Sequence, residues 1–433
     1  MVERFAPTEY ALQSLATGAL FPDAGWTLDA PGEQQPALVR AVYAKTQLEL
    51  KDESWGIFRY ADWLPVQRML QGSGFPVTYR SEALAAELGL ESLWITFSGW
   101  WPERGARMKS GSFKETEAYA VCGRLSAEEN RVLVVASAGN TARAFARVCS
   151  ENGIPLLLSV PEDNLDALWF DQPIRPCVKL IASRKGGDYY DAIHLSNLAC
   201  QLPGYFAEGG AKNVARRDGM GTTVLSAATT IGRIPDYYYQ AIGSGTGAIA
   251  AWEANLRLLA DGRFGSKKMI LRVSQNWPFI PIHDAWKARS RQMLPMDDDE
   301  ARRKVEIIRA KVLSNRKPPY PILGGLYDAL EDTGGNVLYA NNEEAMRAAE
   351  LFERLEGIDI HPAAAVATAT LIADARDGKL PAGASVMLNV TGGGEERFQQ
   401  EHHLHFLKPS LIFDLDPTLE DVGRQLQGLS FKL

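Results

Sequence analysis

Cysteine is scarce in this chain. There are four in 433 residues, Cys122, Cys149, Cys177 and Cys200, and no C-x-x-C pair. That spacing excludes a disulfide framework and a cysteine-built zinc knuckle, and predicts buried small hydrophobes in a reducing cytosol. Histidine is also sparse, and half of the six residues fall in His402-His403-Leu404-His405. No carboxylate or thiolate stands in register beside that cluster, so it reads as part of a solvated tail and no metal is expected. No apolar run is long enough to span a bilayer, and Met1-Val2-Glu3-Arg4-Phe5 has no signal-peptide core. A cytoplasmic protein with no membrane partner is therefore expected. Positive charge is in deficit: 46 Lys and Arg against 53 Asp and Glu give a net charge of −7. This leaves no basic field for nucleic acid, and any anionic substrate must be drawn in by a local cationic pocket.

What is present is alternation. Residues 8–45 read as short strands, at 10–13, 26–28 and 37–43, punctuated by Pro22, Pro31 and Gly32, and predict a small β element. From residue 83 the pattern turns to α/β. Helices are predicted at 83–88, 113–123, 141–153, 189–200, 246–259, 343–356 and 363–375. Between them lie short strand-like runs at 93–97, 132–136, 154–160, 177–182, 237–242, 269–273 and 386–390, of which 132–136 is wholly apolar. Such runs suit strands buried on both faces, and their alternation with helices predicts parallel, doubly covered sheets. The polar stretch 297–304 reads as a solvated helix or loop, and the proline-bearing 311–321 as a linker or flap.

Three turns carry chemistry. The loop Gly243-Ser244-Gly245-Thr246-Gly247 sits between a strand and a helix start, where backbone N–H groups and the helix dipole converge on an anion. A dinucleotide turn, Gly243-x-Gly245-x-x-Ala248, would need an acidic residue ending the next strand. That strand runs into Ser274-Gln275-Asn276, which favours a mononucleotide or pyridoxal phosphate (PLP) over NAD. The second turn, Ser110-Gly111-Ser112, places Lys114 at a helix start, where a nearby cation or an apolar pocket would lower its pKa and make it a nucleophile toward an aldehyde. Lys109 competes but precedes the turn. The third, Ser137-Ala138-Gly139-Asn140-Thr141, suits a carboxylate, and Asn140 offers either an amide donor to a phenolate-type oxygen or a helix cap. Thr391, ahead of Gly392-Gly393-Gly394, can bring a hydroxyl to a heteroaromatic nitrogen.

The motifs SGSFKE, ASAGNTARAFA, GSGTGAIAAWEA, EGIDIHPAAAVATA and LNVTGGGEE follow one another in the order seen in threonine synthases and other PLP enzymes of the tryptophan-synthase-β fold, fold type II. Longer stretches, FRYADWLPV, TYRSEALAAELGL and EGGAKNVARRDGMGTTVLSA among them, resemble the cysteate synthase family of methanogens more narrowly. The resemblance spans about residues 8–400.

It implies two doubly wound α/β domains with pyridoxal 5′-phosphate between them. The expected division is a metal-free remnant of a zinc ribbon at 1–45, with Ser14 and Thr17 where the first cysteine pair would stand. An N-terminal domain then occupies 46–235 with a mobile Asn-loop subdomain at about 115–210, a C-terminal domain 236–400, and a tail 401–433. By the same resemblance Lys114 is the Schiff-base lysine, and Gly243, Ser244, Gly245, Thr246 and Gly247 hold the cofactor phosphate. Asn140 sits beside its 3′-oxygen, and Thr391 beside its pyridine nitrogen, where a neutral partner favours elimination over transamination. Ser137, Ala138, Gly139 and Thr141 would hold the substrate carboxylate. The implied reaction is a β-replacement: O-phospho-L-serine plus sulfite gives L-cysteate plus phosphate through a bound aminoacrylate. Lys212, Arg216 and Arg217, with Lys109 and Arg143, are candidates for the cationic patch. A homo-oligomer is expected by analogy, with domain closure over the substrate. The chain departs from threonine synthases in having Glu115-Thr116 after the lysine and a longer segment, residues 99–105, before the turn. Threonine synthesis from phosphohomoserine, another nucleophile, and a non-catalytic scaffold stand as alternatives.

Overall fold

The computed structural model describes residues 5–137, 139–187 and 189–432. Two sheets organise the chain. The smaller has five parallel strands in the order Tyr205–Ala207, Val132–Ala136, Leu156–Pro161, Val178–Ser183 and Leu411–Phe413. The larger has six, in the order Asn336–Ala340, Ile270–Asn276, Tyr237–Ala241, Ser385–Val390, Ser92–Phe97 and Val77–Arg80, with only the last antiparallel. Leu156, Leu157, Leu158, Val386, Met387 and Leu388 have no exposed surface, as expected for strands covered by helices on both faces. An antiparallel three-stranded element, Leu20–Phe21, Tyr10–Ser14 and Val39–Tyr43, precedes both. At its turn the Ser14 hydroxyl accepts from the N–H groups of Ala16 and Thr17 and donates to Glu33.

Three expectations are corrected. Residues 26–28 form no strand: the Asp23 carboxylate takes the N–H groups of Gly25 and Thr27, and the Trp26 indole donates to Ala207 O at 2.9 Å. A boundary at residue 235 does not separate the sheets, because strands 77–80 and 92–97 belong to the larger one. The segment after residue 401 is not a solvated tail. Leu411–Phe413 extends the smaller sheet beside Val178–Ser183, and the helix Leu419–Leu426 buries Val422 and Leu426. His402 stacks on Phe398 with ring centroids 4.1 Å apart. The stretch 297–304 opens the helix Asp298–Ile307, capped by the Asp297 carboxylate.

A long helix that the pattern did not announce, Val214–Ile231, runs between the helix Lys114–Arg124 and the helix Thr246–Asp261. Gly219 permits the first crossing: a Cβ there would stand 2.4 Å from Thr116 O. This packing carries Lys114 and the glycine loop ahead of Thr246 on the N-termini of the two helices that flank it.

Candidate active site

Both helix starts open on one cavity of about 380 Å³. The turn before Lys114 is pinned to the end of the strand Ser385–Val390: Phe113 N donates to Thr391 O at 2.9 Å, and Ser112 pairs with Gly392. Lys114 follows with its side chain 23% exposed and its Nζ 3.1 Å from Glu117 Oε2, one helical turn on. Glu117 Oε1 accepts from Arg216 Nη2 at 2.8 Å, and Arg216 Nε lies 3.1 Å from Glu208 Oε1. Burial pushes the Lys114 amine below its ordinary pKa; Glu117 opposes this and Arg216 adds to it. The result is an amine poised to lose and regain a proton at the cavity wall.

The glycine loop faces it. A Cβ on Gly247 would stand 2.5 Å from Gln240 Nε2, and one on Gly243 would stand 2.8 Å from Val312 O. The Ser244 and Thr246 hydroxyls are 2.9 Å apart. A side-chain-free cradle with two hydroxyls at the start of a 16-residue helix fits a phosphate monoester. The residues present therefore fit PLP: an anion seat and a depressed-pKa lysine share one cavity.

Ser137, Gly139, Asn140 and Thr141 also line it, as does Thr391, 7% exposed; Ala138 lies outside the described residues. Gly139 N donates to the Ser137 hydroxyl at 3.1 Å. Asn140 is not the cap of its helix: Gly139 holds that place and no side chain caps it. Instead Asn140 Oδ1 accepts from Arg143 Nη2 at 3.1 Å, leaving the amide N–H groups for the cavity.

Of the five candidate cations only Arg216 lines the cavity. Lys109 pairs with Asp171 Oδ2 at 3.0 Å. Arg143 is enclosed by Ser110 O, Ala167 O, Glu395 Oε2 and the Trp169 ring. Lys212 turns outward to Asp29 at 2.7 Å. Arg217 is fully buried, with Nε 2.9 Å from Glu253 Oε2. Adjacent residues on a helix point about 100° apart, so the pair that reads as one patch splits between cleft and core. His361 and Gln240 were missed. His361 lines the cavity and is held down to about 4, chiefly by burial and further by Arg143, so it is neutral there. In the sequence it stood only as the His-Pro of EGIDIHPAAAVATA, just before the helix Pro362–Arg376, with no role assigned to it.

Glu115, beside the lysine, is 1% exposed and accepts from Ser110 N at 2.9 Å. Burial raises it to about 7 from 4.5. A raised folded-state pKa means stability present below the unfolded value and lost as pH rises through the folded one. Glu115→Gln, which keeps the acceptor, is therefore expected to gain stability relative to the wild type between about pH 4.5 and 7, by roughly 3 kcal/mol at full ionisation. Urea unfolding at pH 4, 6 and 8 checks this; a constant difference across the series would refute it.

Residues 79–392 match the model of a family described as pyridoxal-phosphate dependent enzyme. The chain is 47% identical to the cysteate synthase of Methanosarcina barkeri, over 87% of this chain and 91% of that protein. It is 48% identical to that of Methanoculleus marisnigri, over 93% of each. Among solved structures it is similar to maize serine racemase, with TM-score 0.56 and 15% identity over 73% of this chain and 89% of that one. The processed form of threonine deaminase isoform 2 from Solanum lycopersicum gives TM-score 0.52 and 15% identity over 75% and 82%. At such identity these two speak to the fold alone, and it is that of PLP fold type II. No helix among the described residues is long and apolar enough to cross a membrane. With family model, relatives and fold in agreement, this chain belongs to the pyridoxal-phosphate dependent enzymes, and within them to the cysteate synthase family.

Proposed function

We propose that the chain converts O-phospho-L-serine and sulfite to L-cysteate and phosphate, with PLP held in the cavity between Lys114 and the loop Gly243–Gly247. The observation that carries this reading is a depressed-pKa lysine sharing one cavity with a phosphate cradle, in a chain of this family. Bound PLP supplies an electron sink that makes the α-proton of an amino acid removable. The backbone N–H groups and hydroxyls of residues 243–247 seat its phosphate. The Asn140 amide donates to its ring oxygen, its orientation set by Arg143. Thr391 presents a hydroxyl to the ring nitrogen, a neutral partner that keeps the chemistry on elimination.

Ser137, Gly139 and Thr141 take the substrate carboxylate at the start of the helix Asn140–Asn152. The Lys114 ε-amine removes the proton from Cα of the substrate, and the C–O bond at Cβ breaks with its electrons leaving on phosphate. The sulfur lone pair of sulfite forms the new bond to Cβ, and Lys114 returns the proton to Cα. Glu117 and Arg216 steady the amine through this exchange: the carboxylate accepts its hydrogen bond, and the guanidinium limits how basic it becomes. His361, neutral in the cavity wall, adds no charge that would compete for the anions. A cytoplasmic setting, a homo-oligomer and small-molecule substrates belong to the same reading.

Mass spectrometry of the products from phosphoserine with ³⁴S-sulfite is the test. Labelled cysteate together with stoichiometric phosphate is expected, with no threonine from phosphohomoserine. Threonine without cysteate would overturn the reading.

A further inference from the structure

Two cavities share a wall. The cavity of about 380 Å³ and a neighbouring one of about 510 Å³ are both lined by Tyr189, Ser314, Asn315 and Lys317. This wall is the proline-bearing stretch read from the sequence as a linker or flap. It is fixed in place. Val312 O abuts Gly243, Leu313 is 4% exposed, and Lys311 Nζ donates to the carbonyls of Val305 and Glu306, each at 2.7 Å. The segment therefore lies on the phosphate loop and presents Lys317 where the two cavities join.

The other cations at the smaller cavity and its wall are committed. Lys114 and Arg216 share Glu117, Arg143 holds Glu395, and Lys311 closes the end of the helix Asp298–Ile307. Lys317 differs. Its ammonium stands 4.9 Å from the Tyr190 ring centroid, and among the described residues no carboxylate lies within ion-pair distance. Asn315 Oδ1 is occupied by Lys317 N at 2.8 Å, which leaves the amide N–H groups of Asn315 available beside the Ser314 hydroxyl. An exposed lysine beside an aromatic face and two neutral donors, in a chain of net charge −7, is a local seat for an oxyanion.

Resting on the proposed reaction, we infer that Lys317, with Ser314 and Asn315, forms the anion-capture site for the phosphate of the amino-acid substrate and for sulfite. One site serves both because both groups bond to the same carbon: phosphate must leave Cβ before sulfite joins it. The neighbouring cavity is then the route by which one tetrahedral or pyramidal oxyanion leaves and the other enters. Lys317 is a specificity-determining residue here, selecting phosphorylated over neutral leaving groups.

The test uses the holoenzyme. Lys317→Ala is expected to raise the KM of phosphoserine and of sulfite each about tenfold, with kcat changed less than about threefold, as loss of one charge-assisted hydrogen bond implies. Lys317→Arg is expected to restore most of the loss. Lys212→Ala, which removes the same charge at a site paired with Asp29 outside the cavity, should leave both KM values unchanged. Independently of turnover, calorimetric titration with inorganic phosphate should show affinity weakened about tenfold in Lys317→Ala. Unchanged phosphate affinity and unchanged KM values would overturn the inference, as would an equal effect from Lys212→Ala. If the wild type made no cysteate the proposed reaction would fall, and the phosphate titration would still decide the role of Lys317.

Discussion

Lys114→Ala is expected to lower turnover by about 10⁴-fold, the scale for removing a group that both anchors the cofactor and moves the proton. The visible absorbance that marks cofactor joined to lysine should vanish with it. Borohydride treatment, which should fix cofactor to the wild-type peptide containing residue 114, should then label nothing. The fold should survive. The lysine side chain lies at the cavity wall, and Glu117 keeps Arg216 as an ion-pair partner when the amine is gone. Cofactor should still bind through residues 243–247, with weaker affinity, because the phosphate cradle is untouched. Circular dichroism and thermal unfolding separate this outcome from collapse. Activity within about tenfold of the wild type, with borohydride labelling retained on a peptide lacking residue 114, would move the role elsewhere. Lys109, the alternative read from the sequence, is poorly placed for it, since Asp171 holds its ammonium 3.0 Å away.

What the sequence made legible follows from which physical signals are local. Strands such as Leu156–Pro161 and Ser385–Val390 are buried along their whole length and read as mostly apolar runs. Residues 110–114 and 243–247 were visible because small residues in a turn followed by a helix start have a local meaning, and the structure brings those two turns to one cavity. The helix Val214–Ile231 was not visible. It is buried on nearly all sides, so no polar stripe marks its period, and Gly219, Gly221, Thr222 and Thr223 lower its intrinsic propensity. The strand Leu411–Phe413 was missed because three residues carry no alternation; only the neighbouring Val178–Ser183 edge makes them a strand. The cationic patch failed for a different reason. A run of charges in sequence says nothing about which member of a helix turn faces the cleft. Lys311 and Lys317, which do line it, lie about a hundred residues further on in a segment with no helical or strand period.

Arg217→Ala supplies the sharpest contrast with its neighbour. Arg217 has no exposed surface. Its guanidinium pairs with Glu253 Oε2 at 2.9 Å and donates to the carbonyls of Ala211 and Val39. Glu253, 1% exposed, has as its other direct partner Arg40, 3.2 Å away. Truncation would leave a buried carboxylate with half its compensation, two carbonyls without this donor, and a void the size of the lost side chain. Breaking one side of a buried ion pair costs about 3–5 kcal/mol. Unfolding in urea is expected to fall by that amount, while the folded fraction keeps its KM for phosphoserine and its cofactor absorbance. Arg216→Ala should do the reverse. Its guanidinium lines the cavity, so removal frees Glu117 to hold the Lys114 ammonium charged. The amine pKa rises and the pH–rate profile moves to higher pH. Two adjacent arginines, one chemistry, and opposite consequences then report directly on a helix that turns one toward substrate and the other toward the N-terminal strands. If Arg217→Ala kept full stability and instead raised KM, that orientation would be wrong.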